Sequence, residues 1–272
     1  MPLEIRLLDL GDIEADRSEV VLGRELGARV QVPTFGHLIL GGEAPVLVDT
    51  GYRDPAGLAD LGMVGRRRPD QELDAQLAEH GLTVADVGTV ITTHLHLDHG
   101  GQNFRFPMDT PVVINRRELE FAASGLDGAL YRAQDVKHMV DRLFTPGALR
   151  ILDLEITGPV EILPGITCLA AGGHTEGSQM VLVQTGAGTA CICGDLAYDV
   201  QDQLAAPIGQ VAADEPTPIP NSPRSRREEL AAMKRALQLG RFLLPMHDRP
   251  AVIEHGRVVG RLADRVPGPA PE

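Results

Sequence analysis

The sequence predicts an α+β protein built as a four-layer αββα sandwich, with two β-sheets face to face and helices outside each. Three observations predict it. Short apolar runs bounded by turn residues recur through both halves of the 272-residue chain. Helical segments gather between the two groups of strands and again near the end, instead of alternating with single strands as a parallel α/β sheet requires. No stretch rich in Pro, Gly and Ser divides the chain. Residues 1–265 are therefore expected to form one domain, with 266–272, which carries three prolines, as a frayed tail.

In chain order, strands are expected at 3–10, 37–40 and 46–49, the last two joined by a hairpin turn at Gly41-Gly42-Glu43-Ala44. A helix follows at 71–80, with Leu73 and Leu77 on one face and Gly81 as its C-terminal stop. Strands at 89–93 and 111–114 lead to helices at 116–123 and 133–143. The second group of strands falls at 160–163, 166–170, 180–184 and 189–193, with a Gly186-Ala187-Gly188 turn before the last. A helix at 225–239 opens on a capping box, Ser225 with Glu228, and a strand at 242–244 closes the series. Two segments show no clear period and are expected to be irregular: 11–33, and 199–224, which is interrupted by Pro207, Pro216, Pro218, Pro220 and Pro223. Long irregular loops in a compact domain are often lids.

Composition narrows the classes of function. A net charge of −13 disfavours a nucleic-acid partner. No apolar run reaches the ~18 residues of a membrane span. Met1-Pro2-Leu3-Glu4-Ile5-Arg6 lacks a basic leader followed by an apolar stretch, and three cysteines fit a reducing compartment, so a cytoplasmic protein is expected. The run Arg66-Arg67-Arg68 reads as a solvated loop. Trp is absent and aromatic residues make up 3%, so a substrate pocket lined by aliphatic side chains is expected. Cys168, Cys191 and Cys193 lie on predicted strands and read as buried small hydrophobes.

The chemistry concentrates in His94-Leu95-His96-Leu97-Asp98-His99, directly after an apolar strand. Imidazole and carboxylate suit zinc, iron, manganese or cobalt. An open catalytic zinc site uses about three protein ligands, so the excess suggests two metals, and two metals suggest hydrolysis. Three further candidate ligands follow strand ends: His174 after 166–170, Asp195 after 189–193 and His247 after 242–244. Taken singly each would be an ordinary turn or surface residue. Strands that end at one edge of a sandwich would bring them together.

The pattern His-X-His-X-Asp-His, the Gly172-Gly173-His174-Thr175 turn, the aspartate after Cys191-Ile192-Cys193-Gly194 and the late His247 resemble the metallo-β-lactamase superfamily, as does the early Leu47-Val48-Asp49-Thr50-Gly51. That resemblance implies two divalent ions, most simply Zn2+. His94, His96 and His174 would hold the first; Asp98, His99 and His247 the second. Asp195 and a hydroxide would bridge them, and Asp49 would orient a ligand. Within the superfamily the flavodiiron branch has glutamate where this chain has His96. Exported zinc β-lactamases lack the bridging aspartate. RNA-processing members carry basic features, and the second glyoxalase enzyme adds a helical C-terminal region, whereas 25 residues follow His247 here.

The best match is to the N-acyl-homoserine lactone lactonases, through the first motif with its following Gly100-Gly101-Gln102-Asn103 and through Tyr198, three residues after Asp195. This implies a quorum-quenching lactonase in which the hydroxide attacks the ester carbonyl, Tyr198 contacts the carbonyl oxygen and Asp98 carries a proton to the departing ring oxygen. The partner is then a small lactone or ester, with a homodimer as the default assembly. Glu176, Ser178 and Met246 depart from the residues common in that branch. A thioester or phosphoester hydrolase, or a binding protein without catalysis, is the alternative. His37 and His80 read as structural or exposed, and His138 and His255 as outside the site.

Overall fold

The computed structural model describes residues 2–207, 215–220 and 225–266. The first sheet takes β1 (Glu4–Asp16), β2 (Arg29–Leu40), β3 (Val46–Val48), β4 (Val64–Arg66), β5 (Thr89–Ile91), β6 (Val112–Asn115) and β7 (Leu149–Leu152). The second takes β8 (Val160–Leu163), β9 (Ile166–Ala170), β10 (Gln179–Thr185), β11 (Gly188–Gly194), β12 (Phe242–Pro245), β13 (Ala251–Glu254) and β14 (Arg257–Arg261). The last strand, β15 (Arg265–Val266), returns to the edge of the first sheet. The orders are β15-β1-β2-β3-β5-β6-β7, with β4 on β1, and β14-β13-β12-β11-β10-β9-β8. Strands β3, β5, β6 and β7 run parallel to one another, as do β11 and β12; the remaining pairs are antiparallel.

The helices are α1 (Arg17–Val20), α2 (Leu73–Ala78), α3 (Arg116–Ser124), α4 (Ala133–Leu143), α5 (Leu154–Thr157) and α6 (Arg226–Leu239). Three apolar layers hold the sandwich together. Ile5, Ile39, Ile91, Val181, Ile192 and Leu244 fill the space between the sheets. Leu8, Leu38, Leu47, Leu77, Leu119 and Met139 join the first sheet to α2, α3 and α4. Leu169, Met180, Cys191, Cys193, Met233 and Leu243 join the second sheet to α6. The four-layer α+β architecture expected from the sequence is present. Ser225 caps α6 through Glu228 as expected.

The segment 11–33 departs from expectation. It is the far half of β1 and the near half of β2, paired from Asp12↔Pro33 to Asp16↔Arg29 around α1. A bulge between Asp9 and Asp12 explains why the sequence conceals it. Leu8 and Leu10 point inward before the bulge, Ile13 and Ala15 after it, so the two-residue period changes phase within one strand. Gly11 makes that possible: its φ is +131°, and a Cβ there would meet the Tyr52 hydroxyl at 2.0 Å. The short strands β4, β7, β13, β14 and β15 add to those expected. Val266, counted with the tail from sequence, is buried and pairs with Ile5, while 267–272 lie outside the described residues.

The Arg66-Arg67-Arg68 run is solvated at its two ends but not at its middle. The Arg67 side chain is 5% exposed. It donates to the carbonyls of Leu10 and Tyr52 and lies over the Tyr52 ring. Arg66 pairs with Glu14 and Arg68 with Asp9, Asp12 and Asp70. In the other expected irregular segment, Gln201–Ala205 forms a π turn; 208–214 and 221–224 lie outside the described residues. No helix among the described residues is long and apolar enough to cross a membrane.

Candidate metal centre

Four strand ends build the centre. After β5, Thr92 and Thr93 lead into the histidine loop, which closes as one helical turn: His99 and Gly100 donate their backbone N–H to His96 O at 3.0 and 3.2 Å. Gly101 lets this turn press on its neighbours, since a Cβ there would meet Leu97 O at 2.2 Å. After β9, Gly172 and Gly173, both at positive φ, turn the chain so that His174 faces inward. The parallel strands β11 and β12 end side by side, Gly194 opposite Pro245, and deliver Asp195 and His247 to the same edge.

All seven sequence-predicted ligands meet there. His94, His96, His174 and Asp195 form one group and Asp98, His99 and His247 a second, each with its ligand atoms within 4.8 Å of one another. In the first, His174 Nε2 is 3.1 Å from His96 Nδ1 and 3.6 Å from Asp195 Oδ2, and His94 Nε2 is 3.8 Å from the same oxygen. In the second, His247 Nε2 lies 3.3 Å from Asp98 Oδ2. The other carboxylate oxygen of Asp195 faces this group, 3.0 Å from His99 Nε2 and 3.5 Å from His247 Nε2. Asp195 thus turns one oxygen to each group.

These residues fit metal ions. Nitrogen ligands placed tetrahedrally at about 2.0–2.1 Å from zinc are about 3.4 Å apart, and the distances in the first group scatter about that value. His94 Nε2 is buried and makes no hydrogen bond, an expensive state for an imidazole without a ligand. The tautomers agree. His99 Nδ1 donates to Asp49 Oδ2 at 2.8 Å and His247 Nδ1 to the Pro33 carbonyl at 2.9 Å, which leaves each Nε2 lone pair facing the centre. The cluster is suited to a dimetal site.

Electrostatics divides the two groups. Burial and the neighbouring imidazoles push His94 and His96 well below the ordinary histidine value, and burial takes His174 to about 4. These three are neutral and ready to ligate. Burial acts the same way on His99 and His247, but the carboxylates around them win: His99 is held well above its usual range, and Asp195 and Asp98 lift His247 to about 10. The carboxylates thus favour protonated imidazoles in the second group, and a cation entering there would compete with those protons.

Asp49 sits behind the second group at φ +60°, a left-handed turn that aspartate tolerates. Besides His99 it accepts from the Thr93 N–H and the Thr93 hydroxyl, both at 2.7 Å. In front of the two groups lies a cleft of about 280 Å³. Its walls are aliphatic (Ile13, Val20, Val32, Leu58, Leu61, Met63), and His96, Asp98, His174, Asp195 and His247 line its floor. Tyr198 lines it too, its ring 5.1 Å from that of His247, and burial with the adjacent Asp195 and Asp98 carboxylates keeps its hydroxyl protonated. The wall residues Leu58, Leu61 and Met63 fall outside every segment singled out from sequence.

The metallo-beta-lactamase family model matches residues 30–240. The chain belongs to the metallo-beta-lactamase superfamily. Among curated superfamily relatives, an N-acyl homoserine lactonase of Bacillus cereus is 29% identical over 180 residues, 62% of this chain and 66% of that protein. The N-acyl homoserine lactonase AttM of Azorhizobium caulinodans is 30% identical over 196 residues, 67% of this chain and 71% of that protein. The alignments therefore span about two thirds of each relative. These relatives are hydrolases acting on lactone bonds. In solved structures the fold recurs in the dizinc quorum-quenching lactonase AidC bound to its product, with TM-score 0.62, 15% identity and coverage of 99% of this chain and 96% of that one.

Several sequence candidates stay apart from the cleft. His138 accepts from Arg142 Nε on α4 at 2.8 Å, and His255 occupies the turn between β13 and β14 at φ +51°. His80 lies just after α2, and His37 is fully buried on β2. The three cysteines are buried. One residue close to the histidines was not singled out from sequence, Glu118. The one available signal was a glutamate at the third helical position, which reads as an ordinary helix start.

Proposed function

We propose that the chain is a dimetal hydrolase that opens lactone rings, an N-acyl-homoserine lactone or a close analogue. The observation that carries this reading is the junction of seven converging ligands with Tyr198 and an aliphatic cleft. The lactonase relatives support the bond type. The cleft supports a substrate with one apolar arm and one polar end.

His94, His96 and His174 would hold one ion and Asp98, His99 and His247 the other, with one carboxylate oxygen of Asp195 turned to each group. Two divalent ions, zinc for this donor set, would supply Lewis acidity and a source of hydroxide at neutral pH. The chain does the rest. The aliphatic walls take the apolar arm and exclude water from it. Tyr198, kept as a phenol, donates to the carbonyl oxygen as negative charge gathers there. Asp98, the ligand with the most exposed side chain, at 13%, stands at the floor of the cleft, where it passes a proton to the departing ring oxygen. Ring opening consumes one water and yields a hydroxy acid, and the nucleophile is not a side chain.

The test is a screen of the metal-loaded protein against a homoserine-lactone series, a thioester and an aryl phosphodiester, beside Tyr198→Phe. Lactone turnover that falls about 10–100-fold in the Tyr198→Phe variant, through kcat more than KM, is expected. Turnover confined to the phosphodiester or the thioester overturns the lactone reading. Unchanged kinetics in Tyr198→Phe removes the phenol from it.

A further inference from the structure

We propose that Glu118 is the positioning residue of the first metal group, tying the chain beside His94, His96 and His174 to the start of α3. The inference rests on the dimetal reading above. Glu118 lies in the first turn of α3, where the helix dipole favours a carboxylate, and it is fully buried. One oxygen accepts from the Leu95 N–H at 2.8 Å and the Tyr131 hydroxyl at 2.9 Å. The other accepts from the Thr175 hydroxyl at 2.6 Å.

Each partner stands next to a histidine of the first group. Leu95 separates His94 from His96, and Thr175 follows His174. The Tyr131 ring packs edge-on against the His96 ring at 4.9 Å. A second, independent feature shows that the dock is built. Gly177 approaches α3 so closely that a Cβ on it would lie 1.9 Å from the Glu118 nitrogen, and Asn115 Nδ2 donates to the Gly177 carbonyl at 3.0 Å.

The chemistry explains a buried carboxylate in this place. These partners are neutral donors, so the charge makes no ion pair with them, and burying it costs free energy that a glutamine of the same shape would avoid. A carboxylate alone presents acceptors on both oxygens to donors from three separate segments. Glutamine keeps an acceptor for the Leu95 N–H but turns an N–H₂ towards the Thr175 hydroxyl, which must then rotate to accept and gives up the bond it donates now. Asp49 plays the matching part for the second group through its direct bond to the His99 ring; its other partner, Thr93, stands beside His94, with its hydroxyl 3.2 Å from His94 Nδ1. The two groups thus have one buried carboxylate each, and the roles should separate by experiment.

The full chain is stripped with a chelator, reloaded with Co2+ and titrated against a competing chelator. Visible d–d spectra distinguish the two ions, and circular dichroism reports folding. The wild-type chain is expected to bind two ions. Glu118→Gln is expected to weaken one by about 10–100-fold and leave the other unchanged, and Asp49→Asn to weaken the other. Should Glu118→Gln fail to fold, Thr175→Val removes one donor at nearly constant volume and should weaken the same ion by a smaller factor. A folded Glu118→Gln, or Thr175→Val in its place, with two wild-type affinities and wild-type spectra overturns the proposal, as does equal weakening of both ions. A wild-type chain that binds fewer than two ions overturns the dimetal reading itself and Glu118's part with it.

Discussion

Replacing Asp49 by Asn changes one atom of a buried side chain and should cost the second ion about 2 kcal/mol of binding. The backbone is not the reason, because Asn accepts the left-handed φ of +60° as readily as Asp does. The difference lies at Oδ2, which accepts from the Thr93 hydroxyl at 2.7 Å and from His99 Nδ1 at 2.8 Å. An amide nitrogen there donates. The Thr93 hydroxyl can rotate to accept; the protonated Nδ1 of His99 cannot. The imidazole must then carry its proton on Nε2, the atom that faces Asp195 at 3.0 Å and would ligate the metal. A hydrogen bond from an imidazole to a carboxylate contributes about 1.5–3 kcal/mol. Taking about 2 kcal/mol for its loss predicts affinity about 30-fold weaker for one ion. Chelator competition measures this directly, and turnover lost at low metal should return with excess metal. Affinity within error of wild type, or weakening of the ion that Glu118→Gln weakens, would refute the reasoning.

Two further outcomes follow from the fold. Arg67→Ala should cost about 3–5 kcal/mol of stability by chemical denaturation, because it strands the Leu10 and Tyr52 carbonyls beneath a side chain that is 5% exposed. Arg67→Lys should recover little of it, since one ammonium cannot span both carbonyls, and Arg68→Ala should leave the midpoint unchanged. Glu229 on α6 accepts from the Ile219 N–H at 2.5 Å and from Arg226; burial nevertheless raises its carboxyl to about 7. The folded state then binds a proton more readily than the unfolded chain. Its contribution to stability is full below the ordinary glutamate range and declines as pH rises towards 7. Melting curves from pH 4.5 to 8 should show a slope over that window that Glu229→Gln removes, and a slope that persists in the variant assigns it elsewhere.

The residues legible in the sequence are those whose chemistry is carried by their own side chains next to a recognisable strand end. His94 to His99 begin two residues beyond β5, and Asp195 and His247 follow β11 and β12, so an apolar run leading to a ligand marks each of them. The parallel pairing of β11 with β12 does the assembly that the sequence only implies. What stayed illegible acts through another residue or another segment. Ile13, on the cleft wall, was hidden by a phase change at a single glycine. Leu58 and Leu61 lie in a 3-10 turn, Pro55–Leu61, whose contact with the cleft exists only once β4 pairs with β1.

Glu118 is the clearest case. As a letter in the sequence it is a helix-start glutamate, worth tenths of a kcal/mol against the helix dipole. In the fold it is a buried acceptor whose partners come from positions 95, 131 and 175. No local pattern encodes that set, because two of the three are a backbone amide, which every residue but proline has, and a threonine hydroxyl. The sign of such a residue is energetic. A carboxylate is buried where an amide would be cheaper, and that excess cost marks the proposed support of His94, His96 and His174.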